Sequence, residues 1–527
     1  MLATRGDLLT VGLATAAVGA AVGVIIGRWC GSPHALLRLR LRLARSSFIM
    51  GNVHVPSALL PSSLSPTLLP DSEGLVRCDV CVERGKIVAV TPRSDPTPRR
   101  MRGGEIDMKG AVVVACWADA HTHMVKTHGH PRSRNPTGSI SDALATEVDD
   151  QPRWAACRCC RPIAFGRGGA ASAAADNDDA CVPCPNARDV ERRMEFALAS
   201  AYHHGTRAVR THLDGTAAED AKTRATVYAA FRACRARWAP RGLAVQGVAN
   251  LYLPLWRIKA LADKHVAEAV AYEGVLLGAY CGNTAETPEA ETAEALDALF
   301  GYAQAHGGLM VDLHIDETND ERCCCLLSLT LALRRARAAG YSGRVLLGHC
   351  TALALQPSAR RDEVICALAT LGAVTVVCNP ATNLGLQDRR GSQAPHCAPI
   401  DARVPRTPLW RGLTLIQELA AAGVRVGAAS DNVRDWWHPY GDYDGLANYK
   451  GAITMAHLDT APNEGAWAAL VSDAPAEAMD LSPSPEGCAF GRGAAADLVV
   501  FPDARRATPL RALTRAPLHR RSQSPRT

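Results

Sequence analysis

No excess of one charge sign dominates this chain. Against 58 Lys and Arg stand 52 Asp and Glu, so the net charge over 527 residues is only +6. Much of that surplus is arginine at the two ends. The central region is close to balanced, so nothing there asks for a nucleic-acid partner. Regularly spaced cysteine pairs of the disulfide-scaffold kind are also missing. Nineteen cysteines are many, but most stand singly on apolar segments (Cys116, Cys281, Cys350, Cys366, Cys378). That pattern fits buried thiols in a reducing compartment and excludes a small secreted disulfide scaffold.

One uncharged run stands out. Residues 8–27, LLTVGLATAAVGAAVGVIIG, are long enough to cross a bilayer. Gly19, Gly23 and Gly27 repeat every four residues, a small-residue face suited to helix association and compatible with a homo-oligomer. Arg28, Arg38, Arg40, Arg42 and Arg45 follow it, with only Arg5 before. The positive-inside rule then keeps the remainder cytoplasmic. Residues 1–46 are therefore expected to be a membrane anchor or a targeting segment, the rivals being an organelle presequence and a soluble cytoplasmic protein.

Beyond residue 46 the pattern changes twice. Residues 47–118 read as short strands with turns, the last of them, AVVVACWADAHTH, running straight into a group of histidines. Helix-like and strand-like segments then alternate: DVERRMEFALASAYHHG with TRAVRTHLD, AEALDALFGYAQAHG with LMVDLHIDE, LLSLTLALRRARAAG with RVLLGHCT, EVICALATLG with AVTVVCNP, LTLIQELAAAG with VRVGAASDN. Repeated helix-then-strand units imply parallel strands with crossover helices. Polar residues at each strand's C-terminal end favour a (β/α)8 TIM-type barrel over a doubly wound sheet. The barrel is expected over 113–479, interrupted at 150–185 by an inserted loop of low periodicity. Segments 47–112 and 480–505 are expected to form a small composite β-sandwich subdomain, and 506–527 a basic disordered tail.

The segment DAHTHMVKTHGH, residues 119–130, places His121 and His123 two apart. On a strand that spacing points both rings the same way. Other strand ends supply His314, followed by Asp316 and Glu317, then His349, then Asp431 and Asn432. Three imidazoles and one carboxylate suit a single divalent ion, Zn²⁺ or Fe²⁺, with an open position for water. Any one histidine alone is more often a satisfied polar residue. The set carries the inference, because every member falls at the end of the barrel where an active site belongs.

The segments HTHMVKTHGHPRSRNPTGSISDAL, VRTHLD, VDLHIDETND, LGHCTA, CNPATNLGLQDRRG and ASDNVRDWWHPYGDYD run in an order that resembles the metal-dependent amidohydrolase superfamily, and within it the cytosine deaminase branch. The resemblance implies metal ligation by His121, His123, His314 and Asp431. It implies that Glu317 shuttles protons near a ring nitrogen and that His349 orients a bound hydroxide. With Asp431, these would be the catalytic groups. Trp437 aligns with an aromatic wall of the pocket. The implied reaction is hydrolytic deamination of a cytosine-like cyclic amidine: hydroxide on the metal attacks the amidine carbon and ammonia leaves. The middle strand GVLLGAYC ends without the lysine that two-metal relatives carry, which implies the one-metal type.

Three departures touch substrate recognition. Val125 stands where many relatives have Asp. Tyr252, in VANLYLPLW, lies near the place of a glutamine that meets the pyrimidine edge. Asn432 replaces a second Asp. Tyr252, Asn432 and Trp437 are thus the candidate substrate contacts. Ring opening of another cyclic amide, or action on an amino-substituted triazine-like ring, would use the same ligand set. A membrane-tethered inactive barrel with an assembly role is the reading from another class. Inside the insertion, Cys157-x2-Cys160 and Cys181-x2-Cys184 have a spacing that suits a structural Zn²⁺ ribbon, although an unstructured loop with incidental cysteines is preferred there.

Overall fold

The computed structural model describes residues 47–64, 69–93, 105–151, 154, 189–281, 285, 287–389, 407–460, 464–482 and 484–501. Four strands come first: β1 (Ser47–Pro56), β2 (Leu75–Glu83), β3 (Lys86–Pro92) and β4 (Glu105–Ala115). The β2–β3 hairpin turns at Arg84 and Gly85, both at positive φ, which suits the glycine. Eight strands follow, β5 (Trp117–Thr122), β6 (Thr206–His212), β7 (Ala244–Tyr252), β8 (Val275–Tyr280), β9 (Val311–Ile315), β10 (Val345–His349), β11 (Val374–Cys378) and β12 (Arg425–Ala428). They pair in chain order in one eight-stranded sheet. Thr122 bridges in parallel to Asp431, just past β12, and so joins the first strand to the last.

Helices occupy the connections. Between β5 and β6 lie α1 (Ile140–Asp150) and α2 (Asp189–His203). Then come α3 (Ala221–Trp238), α4 (Lys259–Val270), α5 (Glu289–Ala305), α6 (Cys325–Ala338) and α7 (Ser358–Thr370), one per crossover. The short α8 (Pro380–Leu386) and α9 (Ile416–Ala421) precede β12. The strands are buried along nearly their whole length, as expected of parallel strands covered on both faces. This arrangement is a TIM-type barrel, so the strand C-terminal ends are where loops converge on a site.

By compactness the chain falls into two units, one containing Asp119–His204 and Ala208–Asp444, the other the flanking segments with 205–207. The flanks form one five-stranded sheet in the order β13-β4-β1-β2-β3, where β13 is Leu498–Phe501. The expected β-sandwich is corrected to this single sheet among the described residues. The run AVVVACWADAHTH is also two strands rather than one. It breaks at Cys116, whose N–H donates to the Asp497 carbonyl, so β4 pairs with β13 and β5 opens the barrel. An unbroken apolar run carries no mark of such a change of sheet.

The expected membrane anchor is withdrawn. Among the described residues no helix is long and apolar enough to cross a membrane, and residues 1–46, including the run 8–27, lie outside them. Cys157, Cys160, Cys181 and Cys184 also lie outside the described residues, as does the tail 506–527.

Candidate active site

The alternation of β5 brings Asp119, His121 and His123 to one side of the strand. Gly348 on β10 lets the His121 ring lie against the backbone, because a Cβ there would come within 2.6 Å of His121 Cε1. The Asp431 N–H donates to the His121 carbonyl (2.9 Å) and the Ser430 N–H to Asp119 Oδ1 (3.1 Å), which fixes the end of the last strand beside the first. The backbone is bent at four points around this rim. Asp316, His349, Cys350 and Asp431 all have positive φ, between 51° and 72°. Such strain persists where the surroundings over-determine it, and it gathers at functional sites. The Asp316 carboxylate shows how. It accepts from the N–H groups of Cys325 (3.0 Å) and Leu326 (3.1 Å) at the start of α6. That anchor turns the following residue, Glu317, toward the barrel mouth.

His121, His123, His314, His349 and Asp431 come together there. His123 Nε2 lies 3.0 Å from His314 Nε2 and 3.3 Å from Asp431 Oδ1, and His121 Nε2 lies 3.7 Å from the same oxygen. Donors bound at roughly 2.0–2.2 Å around one tetrahedral ion sit about 3–4 Å from each other, which is the spacing seen. Among the described residues, His121 Nε2 and both Asp431 oxygens are buried without a well-formed hydrogen bond, the approach of His123 Nε2 to Asp431 apart. A buried carboxylate so left would be costly unless a cation shares the space. Burial, then the neighbouring rings, hold His121, His212 and His314 well below the usual histidine range. Neutral imidazoles with free lone pairs are what a metal needs. The residues present therefore fit a divalent ion.

His123 behaves differently. Burial works against its charge, but the Asp214 carboxylate, 2.9 Å from Nδ1, outweighs it and pushes the ring up to about 9. Glu317 is pushed well above the ordinary carboxylate range, by burial first and by Asp431 second. Its Oε1 lies 3.2 Å from His349 Nδ1. Burial takes His349 down to about 4, and the Asn383 amide sits 2.8 Å from its Nδ1.

These groups open on a cavity of about 190 Å³. Trp437, Asn432 and Tyr252, the residues proposed from the sequence as substrate contacts, all line it, and Tyr252 is 45% exposed. Asn432 also donates to Asp435 (2.9 Å). Four groups escaped the sequence reading. His212, at the end of β6, lies with Nε2 3.2 Å from His121 Nδ1, and Asn250 holds its other nitrogen at 2.8 Å. Asp214 backs His123. Lys126 and Glu147 form a buried pair in the cavity wall. The motif VRTHLD held the signal for the first two, as one histidine and one aspartate at a strand end.

Residues 257–518 match the profile of the Amidohydrolase family. The chain is 33% identical over 460 residues to pterin deaminase of Rhizobium rhizogenes strain K84, across 86% of this chain and 88% of that protein. Its fold is similar to that of 5-methylcytosine deaminase from Klebsiella pneumoniae (TM-score 0.62, 18% identity, 89% of this chain and 94% of that one). It is also similar to N-isopropylammelide isopropylaminohydrolase from Burkholderia multivorans (TM-score 0.55, 21% identity, 90% and 95%). With its barrel and its buried histidine–aspartate cluster, the chain belongs to the amidohydrolase superfamily, in a deaminase-like branch, and is a hydrolase of carbon–nitrogen bonds other than peptide bonds.

Proposed function

We propose that the chain deaminates an amino-substituted, nitrogen-containing ring by hydrolysis, with pterins as the first substrate class and cytosine-type pyrimidines as the second. One observation carries the reading. A buried carboxyl group whose affinity for a proton is raised by burial and by Asp431, Glu317, lines the same cavity as a cluster of donors that fits a single divalent ion. The order of the two classes rests on the similarity to a pterin deaminase over most of the chain.

His121, His123, His314 and Asp431 would hold the ion. Bound there, it would supply the Lewis acidity that makes water nucleophilic near neutral pH. The rest is the work of side chains. Glu317 gives its proton to a ring nitrogen next to the amino-bearing carbon, which makes that carbon electrophilic. The water oxygen bonds to this carbon, and the proton it loses passes through Glu317 to the exocyclic nitrogen. The carbon–nitrogen bond then breaks, ammonia leaves with that proton, and the remaining hydroxyl proton returns to Glu317 as the ring carbonyl forms. His349 is neutral and held by Asn383, so it faces the developing charge without competing for the Glu317 proton. Trp437 and Tyr280 wall the cavity with aromatic surface against a flat ring. The intact donor set speaks against an inert barrel.

The test is ammonia release by the metal-loaded protein from a panel of pterin, cytosine, isocytosine, guanine and an aminotriazine. Release from pterin, with cytosine slower, supports the reading. Release from a triazine alone moves the substrate, and release from none of them removes the deaminase.

A further inference from the structure

Lys126 is the least expected group in the cavity wall. It is 3% exposed, three residues past His123, and its ammonium stands between the carboxylates of Glu147 and Asp214. Burial would lower its affinity for a proton, but Asp214 and Glu147 outweigh burial and hold it above the ordinary lysine range. Its Nζ lies 3.1 Å from Glu147 Oε2 and 3.3 Å from Asp214 Oδ1, and 5.1 Å from the centre of the Trp437 ring. An ammonium has three N–H donors. One goes to Glu147 and the Asp214 carboxylate pairs with the same ammonium, and among the described residues no third acceptor contacts Nζ.

Glu147 mirrors this. It comes from α1, which is fixed where its chain leaves the histidine segment. Arg132 Nε donates to Asp150 Oδ1 (2.8 Å), Ser133 Oγ to the same oxygen (2.8 Å), and Trp154 Nε1 to Oδ2 (2.8 Å). Both contacts of Glu147, from Lys126 and from Trp437 Nε1 (2.8 Å), fall on Oε2. Oε1 takes neither. The wall thus presents one charged donor and one charged acceptor side by side, on a rigid support, with Trp437 packed behind both.

A donor beside an acceptor is the complement of a ring carbonyl beside a ring N–H. We infer that Lys126 and Glu147 form a lactam-reading pair, which selects rings carrying adjacent C=O and N–H groups and rejects rings where an amino group and a bare nitrogen replace them. This rests on the function proposed above, because it assigns the recognition edge of that same substrate. Lys126 donates to the carbonyl oxygen and Glu147 Oε1 accepts from the ring N–H. In a 4-amino analogue both polarities are reversed. A donor then meets Lys126 and a lone pair meets Glu147, so a buried site of this kind rejects it strongly.

The test separates binding from turnover. Calorimetric titration of the metal-loaded Glu317→Gln protein with pterin and with 2,4-diaminopteridine gives a selectivity ratio that needs no reaction. The expected ratio favours the oxo ring by about 100-fold or more. Lys126→Met, added to that background, removes the donor but leaves two carboxylates without their cation, so its fold is checked by thermal melting. Glu147→Met removes the acceptor and leaves Lys126 paired with Asp214, which keeps the local charge balanced. Each is expected to reduce the ratio to less than about 5-fold, through weaker binding of the oxo ring. A ratio that survives in folded Glu147→Met, or a parent protein with no preference, overturns the inference. Ammonia release by the wild-type protein is read separately. If it fails while the binding preference holds, the deaminase reading falls and the lactam-reading pair stands.

Discussion

His123 and Asp214 stand 91 positions apart in the chain, and the Nδ1 of one lies 2.9 Å from the Oδ2 of the other. The carboxylate fixes which nitrogen of His123 carries a proton and leaves Nε2 facing His314 and Asp431. Partners of this kind orient a ligand and raise its basicity. Asp214→Asn is expected to weaken metal affinity by about 10- to 100-fold. Competition with a chromogenic chelator measures it, and unchanged affinity would show that Asp214 serves only the Lys126 pair.

The same contact sets a pH dependence. With burial opposing and Asp214 prevailing, His123 in the metal-free protein keeps its proton up to about pH 9. A metal must displace that proton, so affinity is expected to rise about tenfold per pH unit through neutrality and to level off near pH 9. Calorimetry at pH 7 in buffers of different ionisation enthalpy is expected to count close to one proton released per ion. No proton released would mean that His123 is not a ligand.

Glu317→Gln keeps the size and polarity of the side chain and removes the transferable proton. The variant is expected to bind metal as the wild type does and to turn over about 100- to 10,000-fold more slowly. Metal content by mass spectrometry, beside initial rates, separates the two effects. Near-normal turnover would remove Glu317 as the proton shuttle.

Arg210 is fully buried on β6. It donates from Nη1 to Asp312 Oδ2 on β9 (3.0 Å) and from Nε to Gln246 on β7 (3.0 Å). Replacing it by Met leaves the Asp312 carboxylate buried and unpaired, at a cost of about 3–5 kcal/mol. The double change Arg210→Met, Asp312→Leu is expected to recover much of that. Urea unfolding of the three proteins decides it, and a single variant as stable as the wild type would contradict the ion pair's role in the barrel.

Much of the site was legible because its members fall at ends of strands that alternate visibly with helices. His121 and His123 declare themselves by a spacing of two, and His314, His349 and Asp431 each close a strongly apolar run. His212 did not, because one histidine in VRTHLD looks like any polar strand end until its distance to His121 is known. Lys126 and Glu147 were hidden for another reason: their pairing depends on how α1 is anchored by Arg132 and Asp150, a contact between segments that no periodicity encodes. The split between β4 and β5 was invisible for the same reason. The apolar composition of residues 8–27 reads as a membrane span; these residues lie outside the described ones, among which no helix is long and apolar enough to cross a membrane.

The central claim is that water replaces an amino group on a ring. The most direct test is turnover of pterin in ¹⁸O-labelled water by the metal-loaded protein, with ammonia and product followed together. The expected result is one ammonia per product and one ¹⁸O at the carbon that carried the amino group. Product without ammonia, or ammonia without label in the ring, would contradict hydrolytic deamination at this site.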